Sequence, residues 1–305
     1  MTAEKQEYPA GERAEPGLTR PGEQPPAAVQ HQWHRFVALG DSYTEGMGDP
    51  EPRSPGGLRG WADRVAEELG SGRPDFTYAN LAVRGMLLQQ ILDRQLAPAL
   101  TLASDLVAMS GGGNDIIFRR GDPDKLAEIM DQAVGRLADT GATVLLFAGP
   151  DWGTTPLLGQ VRGRVAVYNE NLHTIAALHK ATMVDLWCLP ELQDVRMWDR
   201  DRLHLSPLGH HTVAVATLEA LGVNHTLKPL MPRPAPVHGW TQARAEDLIW
   251  AGQYFLPWVL RRLHPRPADE LLAAKRPEPG PVLGLGRPGQ RPGPPVQGPA
   301  QGEVA

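Results

Sequence analysis

Apolar residues gather in five short runs, at positions 36–39, 76–79, 106–109, 144–148 and 183–186. Each is of strand length, and several are apolar without alternation, as expected for strands covered on both faces. Between the runs lie longer stretches in which apolar residues recur every three or four positions. Trp61, Val65, Ala66 and Leu69 make one such face, and Leu87, Leu88, Ile91, Leu92 and Leu96 a second. Leu126, Ile129, Met130, Ala133, Val134 and Leu137 make a third, and Val165, Tyr168, Leu172, Ile175 and Ala176 a fourth. Leu208, Val213, Val215, Ala216 and Leu218 suggest a fifth. Strand and helix patterns therefore alternate as βα units, which predicts an α/β three-layer sandwich with helices on both faces of a parallel sheet.

The pattern fails at both ends. Residues 1–33 carry Pro, Gly, Glu, Gln and Arg without apolar periodicity, and residues 265–305 are dominated by Pro, Gly and Arg. Neither end has the apolar surface to offset its ordering entropy, so both are expected to be disordered tails. One domain is expected over 34–223. A connector and a helix follow over 224–264, where Leu248, Ile249, Ala251, Gly252, Phe255, Val259 and Leu260 form a stripe flanked by Trp250, Tyr254 and Trp258. Arg261 and Arg262 suit the C-terminal end of such a helix and Pro257 predicts a kink. A basic aromatic stripe fits either a membrane surface or the helix's own domain; packing on the domain is the expectation.

The chain has 305 residues, 41% of them hydrophobic, and a formal net charge of -5. No basic stripe interleaved with aromatics occurs, so nucleic acid is not an expected partner. Cys188 is the single cysteine, which excludes an intramolecular disulfide framework and a cysteine-rich zinc site. His31 and His34 have no Cys or carboxylate partner in sequence to complete a metal site, and no metal or other cofactor is expected. No apolar signal region opens the sequence and no run is long enough to span a bilayer, so the expectation is a cytoplasmic protein without stable membrane insertion. Nothing in the sequence sets an oligomeric state.

Four polar clusters follow strands or a late loop. They are Gly40-Asp41-Ser42, Asn80-Leu81-Ala82-Val83-Arg84-Gly85, Gly112-Gly113-Asn114-Asp115 and Asp201-Arg202-Leu203-His204. The carboxyl edge of an open parallel sheet is where ligands bind. A serine there becomes a nucleophile if a histidine takes its proton, and His204 is the candidate for Ser42. Asp201, three residues earlier, can turn back to the other ring nitrogen, fixing the tautomer and stabilising the imidazolium. The backbone N–H groups of Ser42 and Gly85 and the side-chain amide of Asn114 are candidate donors to an oxyanion.

In order, these clusters match the four blocks of the SGNH (GDSL-type) serine hydrolase superfamily, which the chain resembles from about Arg35 to Gly222. The resemblance implies a flavodoxin-like fold with a central five-stranded parallel sheet. It also implies a Ser42–His204–Asp201 triad with Ser42, Gly85 and Asn114 as the oxyanion hole, and a small-molecule ester as substrate without a cofactor. Arg59-Gly60-Trp61 and the stretch from Val161 to Asn169 are similar to an actinobacterial lipase-like branch of that superfamily. A carbohydrate O-deacetylase, a thioesterase or lysophospholipase and an acyltransferase fit the same residues; a non-catalytic binding protein leaves them without a use.

Other residues have plainer readings. Asn80, Asp41 and Asp115 fit loop bracing, and His210 and His211 fit structural or solvated positions within a helix. Asp151 and Trp152 follow the fourth strand and are candidates for shaping the substrate pocket. The Pro- and Gly-rich loop 48–57 is a candidate lid, and the loop 153–163 a candidate wall.

Overall fold

The structure, a computed structural model, describes residues 30–153, 158–230, 232 and 273–282. Residues 1–29 of the expected N-terminal tail, the aromatic stripe at 244–264 and the tail beyond 282 lie outside the described residues, whereas residues 30–33, expected to be disordered, are packed on the domain, with Trp33 buried and its Nε1 donating to Thr143 Oγ1 at 2.9 Å. Five parallel strands form where the apolar runs stand: β1 (Arg35–Leu39), β2 (Thr77–Asn80), β3 (Leu106–Met109), β4 (Thr143–Ala148) and β5 (Thr182–Asp185). The sheet order is β5-β4-β3-β1-β2-β6, with the sixth strand, β6 (Arg276–Pro281), antiparallel on the β2 edge. The parallel part has the flavodoxin-like order, whose crossovers change direction between β1 and β3.

Alternate side chains on each strand enter separate cores. Val37, Leu39, Val107, Met109, Val144 and Leu146 face one cluster. Phe36, Ala38, Leu106, Ala108, Leu145 and Phe147 face the other. This is the period of two expected of a strand covered on both sides. The first cluster is closed by α3 (Leu88–Ile91), α6 (Pro123–Ala138) and α7 (Arg162–His179). The second is closed by α2 (Gly60–Leu69) and α8 (Pro207–Ala220), with Trp61, Val65, Leu69, Val213 and Leu218 fully buried. Two short helices, α1 (Ser42–Glu45) and α5 (Gly113–Arg119), leave the carboxyl ends of β1 and β3, and α4 (Ala97–Thr101) completes the set among the described residues. One turn of π-helix, Leu92–Leu96, joins α3 to α4.

β6 departs from the expectation for residues 265–305. Its sequence, Arg-Pro-Glu-Pro-Gly-Pro, reads as a strand breaker. The prolines, however, occupy every second position. The Thr77 and Leu81 N–H groups are given to His34 and Ala38 on the β1 side. Tyr78 and Asn80 therefore turn their peptides outward, opposite Gly280 and Arg276. Pro281 stands opposite Thr77, whose N–H is already given to His34, and Pro277 and Pro279 fall in the register irregularity between the Tyr78–Gly280 and Asn80–Arg276 pairs, so none of the three stands opposite Tyr78 or Asn80. Proline is tolerated on an edge strand and at a bulge, where it takes no ladder donor from the sheet and blunts the outer edge.

Candidate active site

Ser42 follows β1 at the change of direction in the sheet, and Asn114 follows β3 beside it. The hook that carries Asp201 and His204 is tied by its own backbone. Asp199 N–H donates to the His204 carbonyl at 2.7 Å, and Ser206 N–H to that of Met197 at 2.8 Å. Arg202 sits at a positive φ of 52°, the turn that lets Asp201 fold back. Ser206 then caps α8, accepting from Gly209 N–H at 3.3 Å, with Pro207 at the first helical position. The helix starts immediately beyond the hook and holds it.

Within that hook Asp201 Oδ1 accepts the N–H groups of Leu203 and His204, both at 3.0 Å. Its Oδ2 lies 2.6 Å from His204 Nδ1, and His204 Nε2 lies 3.0 Å from Ser42 Oγ. An ionised carboxylate only accepts, so Nδ1 carries the proton and Nε2 is left to accept from the serine hydroxyl. Burial acts to raise the Asp201 carboxyl, but the hydrogen bond and charge of His204, with the two N–H groups, outweigh it and hold it below its ordinary range. The carboxylate stays ionised, and the imidazole stays in one tautomer.

On the far side of Ser42 the other clusters converge. Asn114 Nδ2 donates to Asp41 Oδ2 and to the Met86 carbonyl, each at 2.9 Å. Both amide hydrogens are engaged, so a third acceptor at this nitrogen must share one of them. Asp41 Oδ1 accepts from Tyr43 N–H at 3.0 Å, which starts α1. The N–H groups of Ser42 and Gly85 have no hydrogen-bond partner among the described residues. Gly85 has a φ of 83°, and it does not line the cavity. Asn80 braces backbone as expected, donating to the Thr44 carbonyl at 2.9 Å and accepting from Ala82 N–H at 3.0 Å. Asp115 likewise takes Leu88 N–H at 2.9 Å.

Two supports escaped the sequence reading. Gln95, in the π-helical turn, accepts from Gly40 N–H at 2.9 Å and donates to the Gly40 carbonyl at 2.8 Å. It fixes the end of β1, two residues before the serine. Glu45, buried in α1, accepts Arg84 N–H at 2.6 Å and pairs with the Arg84 guanidinium at 2.6 Å, which fixes the loop at Gly85. Both residues read as ordinary polar positions until the fold sets them against those glycines.

A cavity of about 130 Å³ adjoins Ser42 and His204. Its walls are mainly apolar and aromatic, with Phe147, Leu192, Leu203 and Trp198 besides Trp152. The Trp152 and Trp198 rings lie 6.1 Å apart, inclined at 52°. Of the two pocket candidates, Trp152 lines the cavity, whereas Asp151 pairs with Arg162 at 2.7 Å outside it. The loop 48–57 is no lid in this structure: none of its residues lines the cavity, because the buried Asp49 ties it to Arg64 and to Gly60 N–H. Of the candidate wall, residues 154–157 lie outside the described residues and the remainder of the loop contributes no lining side chain. No helix among the described residues is long and apolar enough to cross a membrane.

The fold recurs in solved structures. LAE5, an alpha/beta hydrolase enzyme from the metagenome of Lake Arreo, Spain, is 23% identical, with a TM-score of 0.52 over 62% of this chain and 95% of its own. A lipase/acylhydrolase from Enterococcus faecalis is 18% identical, with a TM-score of 0.51 over 63% and 98%. The acetylxylan esterase Axe2 from Geobacillus stearothermophilus is 17% identical, with a TM-score of 0.50 over 62% and 94%. No curated protein sequence matches the chain. The model of the GDSL-like Lipase/Acylhydrolase family matches residues 38–212, which is more than half of the chain and spans every cluster of the site. The chain belongs to that family and is an ester-bond hydrolase.

Proposed function

We propose that the protein cleaves carboxylic esters with Ser42 as nucleophile, His204 as general base and acid, and Asp201 as the group that orients the histidine and stabilises the imidazolium formed when it takes the serine proton. The observation that carries this is the continuous line from Ser42 Oγ to His204 Nε2 at 3.0 Å and from Nδ1 to Asp201 at 2.6 Å. Ser42 Oγ attacks the acyl carbonyl as His204 takes its proton. The imidazolium then gives that proton to the leaving alcohol, and an acyl-enzyme remains. A water enters, His204 takes its proton, and the acid departs. The N–H groups of Ser42 and Gly85 serve the oxyanion, joined by Asn114 through a shared hydrogen.

The aromatic walls favour an apolar acyl or alcohol group in the cavity. Turnover of p-nitrophenyl esters of increasing acyl length, in the native protein and in Ser42→Ala, tests both points. The expected result is activity that disappears in the variant and passes through an optimum in chain length. A Ser42→Ala protein that keeps its esterase rate overturns the assignment.

A further inference from the structure

Lys275 lies far outside the span shared with the family, and its side chain is buried, at 2% exposure. The Nζ donates to the Leu58 carbonyl at 3.0 Å, the Arg59 carbonyl at 3.2 Å and Asp63 Oδ2 at 2.5 Å. An ammonium has three hydrogens, and each has an acceptor. These three oxygens surround the first turn of α2. The ammonium comes from the segment 273–282, which β6 fixes to the β2 edge. A buried ammonium facing a buried carboxylate needs this geometry, since either charge alone would be strongly unfavourable there.

The start of α2 is in backbone contact with the active site. A Cβ on Gly46, the residue that closes α1 behind Ser42, would stand 2.8 Å from Gly60 Cα. A Cβ on Gly48 would stand 2.1 Å from the Leu205 carbonyl, next to His204. Met47 N–H and Gly46 N–H both donate to the Ser42 carbonyl, at 3.0 and 3.1 Å. Gly60 N–H and Arg59 N–H meanwhile donate to Asp49, at 3.0 Å each. The segment 46–60 is thus packed between the serine helix on one side and the histidine hook on the other, and its far end is held by Lys275.

We propose that Lys275 is a positioning residue for the Ser42–His204 pair, acting as a tethered cation that sets the start of α2 and, through residues 46–60, the spacing of serine and histidine. This rests on the reading of Ser42 and His204 given above. A misplacement of about 1 Å at reacting groups costs up to about a hundredfold in rate. The segment 273–282 is in this view part of the enzyme, although the family span ends at residue 212.

The test uses the full chain with Lys275→Met, assayed well below its unfolding temperature. Expected is a fall in kcat of about ten- to a hundredfold with KM within about twofold, and a parallel fall in the rate of Ser42 labelling by a fluorophosphonate. A loss of stability alone would leave both rates unchanged in the folded fraction. Lys275→Ala with added propylammonium supplies the missing cation in trans, and partial return of kcat is expected, with none from tetramethylammonium, which has no hydrogen to donate. Where Lys275→Met does not fold, Lys275→Gln keeps donors for the two carbonyls and gives the same reading. Native labelling and kcat in a folded Lys275 variant overturn the proposal. A native protein that no fluorophosphonate labels overturns the reading of Ser42 itself, and the positioning role with it.

Discussion

His204 and His210 lie on either side of the start of α8, each near an aspartate, and their ring nitrogens meet different partners. His204 shows one nitrogen to Asp201 and the other to a serine hydroxyl beside an open cavity. His210 is fully buried. Its Nδ1 accepts from Trp61 N–H at 3.2 Å and its Nε2 donates to the Met47 carbonyl at 2.9 Å. Both nitrogens are consumed by backbone, so nothing remains with which to move a proton. Burial drives the His210 pKa down to about 4, and the hydrogen bond to the Met47 carbonyl, with the carboxylate of Asp49, itself paired with Arg64, offsets this only in part. A histidine near a carboxylate is therefore not yet a base. What separates the two is whether the second nitrogen meets a serine hydroxyl or a peptide group.

Removing the hydroxyl breaks the catalytic side of that comparison outright. Ser42→Ala and His204→Ala are each expected to lower kcat by about a million-fold, and the double variant by little more, because the groups act as one unit. Asp201→Asn keeps the size but lets Nδ1 accept rather than donate, so the tautomer reverses. A loss of about ten-thousand-fold is expected, read as kcat on the best p-nitrophenyl ester. An Asp201→Asn enzyme within tenfold of native would show that the 2.6 Å contact does not set the tautomer. Asn114→Ala comes next. If its amide shares a hydrogen with the oxyanion, kcat falls by about a hundred- to a thousandfold with KM little changed. Because both hydrogens already bind Asp41 and Met86, a loss below tenfold would make Asn114 a brace and leave the oxyanion to Ser42 and Gly85.

Much of this was legible in the chain. The five apolar runs became β1 to β5 within a residue or so of their expected ends, since a strand buried on both faces leaves an unbroken apolar mark. The four clusters came together because each follows a strand or precedes a helix, where position in sequence fixes position at the sheet edge. Three features had no such mark. The prolines of β6 signal disorder in composition, and only the register against β2, which sets Gly280 and Arg276 rather than a proline opposite Tyr78 and Asn80, shows that they are harmless. Gln95 borders an apolar helical face and looks like its solvent boundary; its grip on Gly40 depends on a π turn that shifts it toward β1. Trp198 stands in a loop without periodicity, and its place in the cavity wall comes from the bridge it forms to Leu205.

The structural histidine gives the smallest effect and the clearest contrast with His204. His210→Gln is expected to leave kcat within about threefold and to lower stability at pH 8 by about 1–3 kcal/mol, because a buried backbone group loses its partner. The sign of its pH dependence follows from the lowered pKa. Between pH 6.5 and about 4 the unfolded histidine binds a proton that the folded one refuses, so the native protein loses stability as pH falls through that window. The loss amounts to as much as about 3 kcal/mol. Asp63, raised by burial to about 6 despite Lys275, acts the other way, since its folded form holds a proton that the unfolded chain gives up above pH 3.8. Asp63 is present in both proteins, so its share cancels when the two are compared. Urea midpoints of the native protein and His210→Gln at pH 8, 6 and 4.5 are therefore expected to converge as the pH drops. A constant gap would mean that His210 takes up its proton as readily in the fold as in the unfolded chain, with the charge taken up by Asp49.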